Sequence, residues 1–162
     1  MADGTRNALV ILSGGQTGAD RAALDVALEL GLGCGGWCPR GRRAEDGAIP
    51  DRYPLRETPT AAYPQRTEWN VRDADATLIL HAGRADRGTA LTERLARALG
   101  KPVRTLDVRT ANAADLTAWI ERERVATLNV AGPRESGSLG IQAAAAGLPQ
   151  ASAERPRGQV TG

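Results

Sequence analysis

The chain has little with which to hold a metal: two cysteines, Cys34 and Cys38, and one histidine, His81. A structural zinc site takes about four Cys or His ligands, so these three do not make one, and no metal centre is expected. The thiols read instead as free cysteines of a reducing compartment. A long apolar run is also missing, where a membrane span needs about 20 such residues in a row. The opening segment MADGTRN lacks the apolar core of a secretion signal. Charge of one sign is not in excess either: 21 Lys and Arg face 19 Asp and Glu, a net of +2. A duplex DNA binder needs a strong basic surplus to neutralise phosphates, so that class is excluded while a local basic pocket is not. The expectation is a cytoplasmic protein with neither a membrane nor duplex nucleic acid as partner.

What is present is an alternation of strand and helix patterns. At 162 residues the chain has the length of one domain, large enough to bury a core without staples. Leu9-Val10-Ile11-Leu12 is a short apolar run, the signature of a central parallel strand buried on both faces. Leu24, Ala27, Leu28 and Gly31 follow at helical spacing. An extended piece spans Cys34 to Trp37, and a proline-bearing irregular stretch runs from about Cys38 to Tyr63. A loop of that length inside a compact domain is either functional or disordered. A short helix from Arg66 to Asp73 leads to a strand over Thr77–Leu80. The next helix carries Leu91, Leu95, Ala98 and Leu99 on one face and stops at Gly100. Pro102–Leu106 reads as a strand, Asn112–Arg122 as a helix, and Ala126–Val130 as a strand broken by Gly132-Pro133. Ile141, Ala144, Ala145 and Leu148 mark a final helix. Residues 7–150 thus predict one Rossmann-like α/β domain, a mostly parallel sheet of about five strands with helices on both faces, between disordered tails at 1–6 and 151–162.

Three strand-to-helix turns carry the chemistry. In Ser13-Gly14-Gly15-Gln16-Thr17-Gly18-Ala19-Asp20, glycines let the backbone approach a ligand closely. The free amides and dipole of the following helix favour an anion there by about 0.3–1 kcal/mol. Neither a Walker A ending nor GxGxxG spacing is present. Thr17 and Asp20 have the spacing of a capping box, a purely structural use. Arg87-Gly88-Thr89-Ala90-Leu91-Thr92 opens a second helix, with Gly88 for backbone approach and the Thr89 and Thr92 hydroxyls as phosphate donors or caps. Gly132-Pro133-Arg134-Glu135-Ser136-Gly137 follows the last strand, with Arg134 set to clamp a phosphate or carboxylate and Ser136 to cap a helix. The candidate ligand-binding residues are therefore Gly14, Gly15, Gln16, Thr17, Gly18, Asp20, Gly88, Thr89, Thr92, Gly132, Pro133, Arg134, Glu135 and Ser136.

The loop from Gly36 to Gly47 adds Arg42 and Arg43 as partners for an oxyanion, and Glu45 and Asp46 as candidate general acids or bases or holders of Mg²⁺. The same residues also read as a charged surface loop with internal ion pairs. Trp37 can stack on a base or simply pack. Cys38 reads as a buried thiol, and nothing pairs His81 with a nucleophile. Arg66 and Asn70 lie on a helix near the same edge.

Together the three turns resemble the SLOG superfamily, which includes the cytokinin-activating lysine-decarboxylase-like proteins and the bacterial DNA-processing proteins. In those chains a Gly-Ser-Arg…Ser…Gly segment comes first, Ser-Gly-Gly-x-x-Gly-x-Asp second and Gly-Thr later. Here Gly132-Pro133-Arg134…Ser136…Gly140 comes last, after Ser13 to Asp20 and Gly88-Thr89, so the order is a circular permutation. More closely, the chain resembles the family named putative molybdenum carrier proteins, through SGGQTGADRAALD, GWCPRGRRAEDGAIP, YPLRET, RTEWNV, TLIL, GKPV and LNVAGPRES. The resemblance spans most of residues 9–148. It implies a strand order of 2-1-5-3-4, which brings all three turns to the carboxyl edge, where open α/β sheets bind ligands. It also implies a nucleotide, molybdate or the molybdenum cofactor as ligand.

The hydrolases of the superfamily carry Gly-Gly-x-Gly-Thr-x-x-Glu. Here Thr92 stands in the place of that glutamate, Arg87 in the place of a glycine, and Glu93 is one residue on, about 100° around the helix. The expected function is binding of a small nucleotide-like or oxyanion ligand by a carrier or sensor. The alternative is a hydrolase of N-glycosidic or phosphoester bonds using Glu45, Asp46 or Glu135. Parallel α/β domains of this size often self-associate, so a homo-oligomer is expected.

Overall fold

Short apolar runs separated by helical periods build the centre of the molecule. The computed structural model describes residues 9–83, 86–137, 140 and 145. In chain order the elements are β1 (Val10–Leu12), α1 (Ala19–Leu30), β2 (Cys34–Gly35), β3 (Trp37–Cys38), β4 (Arg43–Ala44), β5 (Gly47–Ala48), β6 (Arg56–Glu57), α2 (Tyr63–Asp73), β7 (Ala76–His81), α3 (Arg87–Ala98), β8 (Val103–Asp107), α4 (Ala113–Arg122) and β9 (Thr127–Ala131), followed by a 3-10 turn at Glu135–Gly137. Five strands form one parallel sheet in the order β2-β1-β9-β7-β8. That is the expected 2-1-5-3-4 once the short strands of the excursion between β2 and α2 are left out of the count. The first and last strands of the sheet in sequence are neighbours, with Ile11 opposite Leu128.

Alternation along the strands divides the core. Leu78 and Leu80 of β7 join Ile11, Leu128 and Val130 beneath α1 and α4, where Leu116 and Trp119 close the cluster. Each such side chain contributes about 1.5–3 kcal/mol by leaving water. Alanines 19, 22, 23 and 27 give α1 a thin face that lies close against this sheet. Leu24, on another side of α1, packs with Cys38, Ala44, Ile49, Tyr53 and Leu55 in a second cluster. The proline-bearing excursion therefore has its own core and is pinned to the helix that begins at the first glycine-rich turn.

Two expectations are corrected. Leu28 is 42% exposed, because the buried stripe of α1 runs through Leu24 and the alanines and has passed by the last turn. On α3 the buried residues are Thr89, Thr92 and Ala96, whereas Leu99 is 46% exposed and Leu91 and Leu95 are half-buried. The inward face of α3 covers polar space, so its leucines do not define it. The helix expected from Ile141 to Leu148 lies outside the described residues except for Ala145, which is helical and buried. Both expected tails lie outside them as well. Among the described residues no helix is long and apolar enough to cross a membrane.

Candidate functional site

The carboxyl ends of β1, β9 and β7 lie side by side, so the turns that leave them share one edge. The β1–α1 turn is buried throughout. A Cβ at Gly14 would stand 2.0 Å from Arg66 Nη1, and one at Gly18, whose φ is 85°, would stand 2.3 Å from the Pro133 carbonyl. Both glycines thus let other parts of the chain approach, one a guanidinium from α2 and the other the loop after β9. The amides expected to be free are already engaged. Gly15 N donates to Ser13 Oγ at 3.3 Å, Gln16 N to Asp20 Oδ2 at 3.4 Å, Thr17 N to Gln16 Oε1 at 3.1 Å and Ala19 N to the Pro133 carbonyl at 3.3 Å. The expected capping box is absent too: Gly18 is the cap, and the Thr17 hydroxyl donates to Glu45.

Glu45, at the tip of the β4–β5 hairpin, ties this turn to the loop after β9. Its carboxylate accepts from the Thr17 and Ser136 hydroxyls and from Ser136 N at 3.1 Å, while its own amide donates to Gln16 Oε1 at 2.8 Å. Glu135 N completes the bridge by donating to Thr17 Oγ1 at 3.2 Å. Burial pushes the Glu45 carboxyl up, but the bonds from Ser136 and Thr17 and the nearby Arg134 outweigh it and hold the group below the usual range. Asp46 is held low by the hydrogen bonds it accepts from Arg21. Arg42 spends its guanidinium on the carbonyls of Ile49, Pro50, Tyr53 and Leu55, at 2.8–3.2 Å. Arg42, Glu45 and Asp46 are therefore used to build and dock the excursion. Glu135 accepts from Gly140 N at 2.6 Å, and the Ser136 hydroxyl, expected to cap a helix, goes to Glu45 instead.

The start of α3 is closed by its own residues. Thr89 N donates to Asp86 Oδ1 at 2.8 Å and Asp86 N donates back to Thr89 Oγ1 at 3.0 Å. The Thr89 hydroxyl proton goes to the Asp86 carbonyl at 2.9 Å, and that of Thr92 to the Gly88 carbonyl at 3.0 Å. Of the two uses expected for these hydroxyls, phosphate donor or helix cap, Thr89 takes the second, and both protons go to the backbone.

Two adjoining cavities lie between these walls and share Arg66, Thr67, Gly88 and Gly132. The inner one, of about 60 Å³, is lined by Gly14, Asp20, Asn70, Thr89, Thr92 and Asn129 as well. Asp20 is buried there beside Arg66, with Nη1 at 3.3 Å from Oδ2. Burial raises its pKa from 3.8 to about 6, against the pull of Arg66, the Gln16 amide and Arg21. The outer cleft, of about 270 Å³, adds Gln16, Tyr63, Asp86, Arg87, Leu91 and Arg134. Three guanidinium groups surround the Tyr63 ring, those of Arg43 and Arg66 at 5.3 Å and that of Arg134 at 6.0 Å from its centroid. The Arg66 Nε is buried without a hydrogen-bond partner among the described residues.

Most of the expected residues from the three turns meet at this edge, and Arg43 reaches it through Tyr63. Tyr63, Thr67, Arg87 and Asn129 are absent from the expected set. The signal for the first two was available, since Tyr63, Arg66, Thr67 and Asn70 stand at helical i, i+3, i+4 and i+7 positions. Trp37 packs edge-on against Trp69 at 4.7 Å and donates to Asp73 at 2.8 Å, away from both cavities. Cys38 is fully buried in the second core, where burial pushes its thiol up. His81 Nδ1 accepts from Gly83 N at 3.1 Å and lines neither cavity.

A profile of the circularly permutated YpsA SLOG family matches residues 11–151. Among solved structures the chain is similar to the putative molybdenum carrier protein of Syntrophus aciditrophicus SB. The TM-score is 0.85 and the identity 41%, over 90% of this chain and 95% of that one. No curated protein matches.

Proposed function

The chain belongs to the circularly permuted YpsA SLOG family, and from that premise we propose that it binds a small phosphorylated, nucleotide-like ligand in the cleft at the carboxyl edge of its sheet, as a carrier or sensor. The observation that carries this reading is the guanidinium cluster around Tyr63, with Arg66 common to both cavities and its buried Nε unpartnered among the described residues. Guanidinium groups meet phosphate in paired, charge-assisted hydrogen bonds of about 1.5–3 kcal/mol each. The three that line the cleft, Arg66, Arg87 and Arg134, supply much of the roughly 8 kcal/mol of micromolar binding. Tyr63 adds a ring on which a base or sugar can lie. Side chains carry most of this anion binding, because the amides of Gly15, Gln16, Thr17, Ala19 and Thr89 are used within the fold.

Native mass spectrometry of gently purified protein, followed by calorimetry with the nucleotides it identifies, tests the proposal. Arg134→Ala should weaken binding about tenfold or more and leave the melting temperature nearly unchanged, since Arg134 is exposed. Absence of any bound or titratable nucleotide, with Arg134→Ala indistinguishable from the parent, overturns it.

A second reading, carriage of molybdate as cargo, draws on the name of the 41% identical neighbour. A tetrahedral dianion suits the same arginines. Metal analysis of protein from molybdate-fed cells tests it, and no enrichment over an unrelated protein counts against it. Two of the three acids named for the hydrolytic alternative, Glu45 and Asp46, are engaged in docking the excursion.

A further inference from the structure

Arg66 serves two anions, one built into the fold and one that the cleft is shaped to take. It lines both cavities, and its Nη1 lies 3.3 Å from Oδ2 of Asp20, whose side chain is only 8% exposed. The pairing is loose. The two hydrogen bonds that the Asp20 carboxylate accepts among the described residues, from Arg66 Nη1 at 3.3 Å and the Gln16 amide at 3.4 Å, are long and fall on the same oxygen. Bonds this weak do not offset the loss of water around a buried charge. The other groups around it do not make up the difference. Arg21, the next residue on α1, gives its guanidinium to Asp46 and to the Gly15 carbonyl. Asp86, at the cap of α3, adds a repulsion. Thr67 and Asn70 of α2, Thr89 and Thr92 of α3 and Asn129 of β9 face the same cavity and carry no charge. Burial is the largest influence on the Asp20 carboxyl and raises it to about 6.

We infer that anion binding in the cleft is coupled to a proton through Asp20: an incoming negative charge takes Arg66 from the carboxylate, and Asp20 accepts a proton from solvent in exchange. The inference rests on the reading of the cleft as an anion site and adds its control. Two anions beside one buried cation leave one of them uncompensated, and the carboxylate is the one that can be neutralised where it stands. Affinity for an anion is therefore greatest when Asp20 is protonated, below about pH 6, and falls as pH rises above that value. A carrier built this way loads in mild acid and unloads toward neutrality. The chain's one histidine, His81, lines neither cavity, so a proton taken up on binding points to Asp20.

The test is calorimetry of the full chain with sulfate, which stays a dianion across the range in which a phosphate ester takes up its own second proton. At constant ionic strength, affinity should be about tenfold or more greater at about pH 5.5 than at about pH 7.5. Heats measured at the higher pH in two buffers of different ionisation enthalpy should show most of one proton taken up per sulfate. Asp20→Asn should bind at the higher pH about tenfold or more tightly than the parent, with neither pH dependence nor proton uptake. His81→Gln should change none of these quantities, and together with the buffer pair it keeps the test valid if Asp20→Asn does not fold. Affinities equal within about twofold at the two pH values, with no proton uptake, overturn the inference and leave the anion site standing. Loss of the uptake in His81→Gln, or its survival in Asp20→Asn, overturns it as well. No binding of sulfate at either pH also overturns it, and only the further absence of any bound or titratable nucleotide removes the underlying reading.

Discussion

The two helix starts that face each other across the cleft are built on opposite principles. The beginning of α3 is local: Asp86, Gly88, Thr89 and Thr92 satisfy one another within seven residues of chain. The beginning of α1 is assembled from afar, by Glu45 from the excursion, Arg66 from α2 and Pro133, Glu135 and Ser136 from the loop after β9. A local wall keeps its shape when the rest of the molecule changes. A wall assembled from distant pieces reports on all of them. The ligand cavity therefore has one side whose geometry is nearly independent of context and one that depends on the whole fold being in register.

The sharpest way to break that contrast is Arg66→Ala, which leaves Asp20 buried without its cation and should cost about 3–5 kcal/mol of stability by chemical denaturation. Because the Asp20 pKa is raised in the folded state, to about 6 from 3.8, protonation favours the fold. The contribution of this group is fully present below about pH 4 and is lost as pH rises through about 6. The penalty of Arg66→Ala should accordingly be smaller near about pH 5 than near about pH 7.5, and Asp20→Asn should flatten the dependence. Equal penalties at both pH values would mean that the carboxylate is not the group left stranded.

Next in size is Gly18→Ala. It puts a Cβ against the Pro133 carbonyl at a positive φ and should cost about 3 kcal/mol, a fall of roughly 6–12 °C in melting temperature. Glu45→Ala removes the bridge between the β1 and β9 loops and should cost about 1–2 kcal/mol. It should also weaken ligand binding, since the loop carrying Arg134 loses its tether. The smallest effect belongs to the local wall: Asp86→Ala removes one helix cap and should cost about 1 kcal/mol. If Asp86→Ala proved more damaging than Glu45→Ala, the contrast between a local and an assembled wall would fail.

The same contrast explains what could be read from sequence. Strands such as Leu9–Leu12 and Thr77–Leu80 announce themselves because apolar runs of that length have few other uses, and the permuted order of the three turns is enough to place β1, β9 and β7 together. The meeting of Ser13–Asp20 with Gly132–Ser136 was legible for that reason. The partners of the turn amides were not. Glu45 reads as a spare acid because its partners, Thr17 and Ser136, lie 28 and 91 residues away, and no local pattern links them. Arg42 reads as a free cation because its four carbonyl partners carry no side-chain signature. On α3, periodicity selected the leucines, yet the buried face is the one with Thr89 and Thr92, because a helix that roofs a polar cavity buries polar residues.

The hydrogen bond between Glu135 and Thr17 spans 118 residues of chain. A ribosome making this protein from its amino end releases the first glycine turn early and the arginine loop that completes the cleft long afterwards. In the interval β1 lacks the neighbour, β9, that separates it from β7. Long-range closure of this kind is slow to form because the loop must be ordered before contacts reward it. A nascent chain thus has no finished cleft to fill until the loop after β9 has been made.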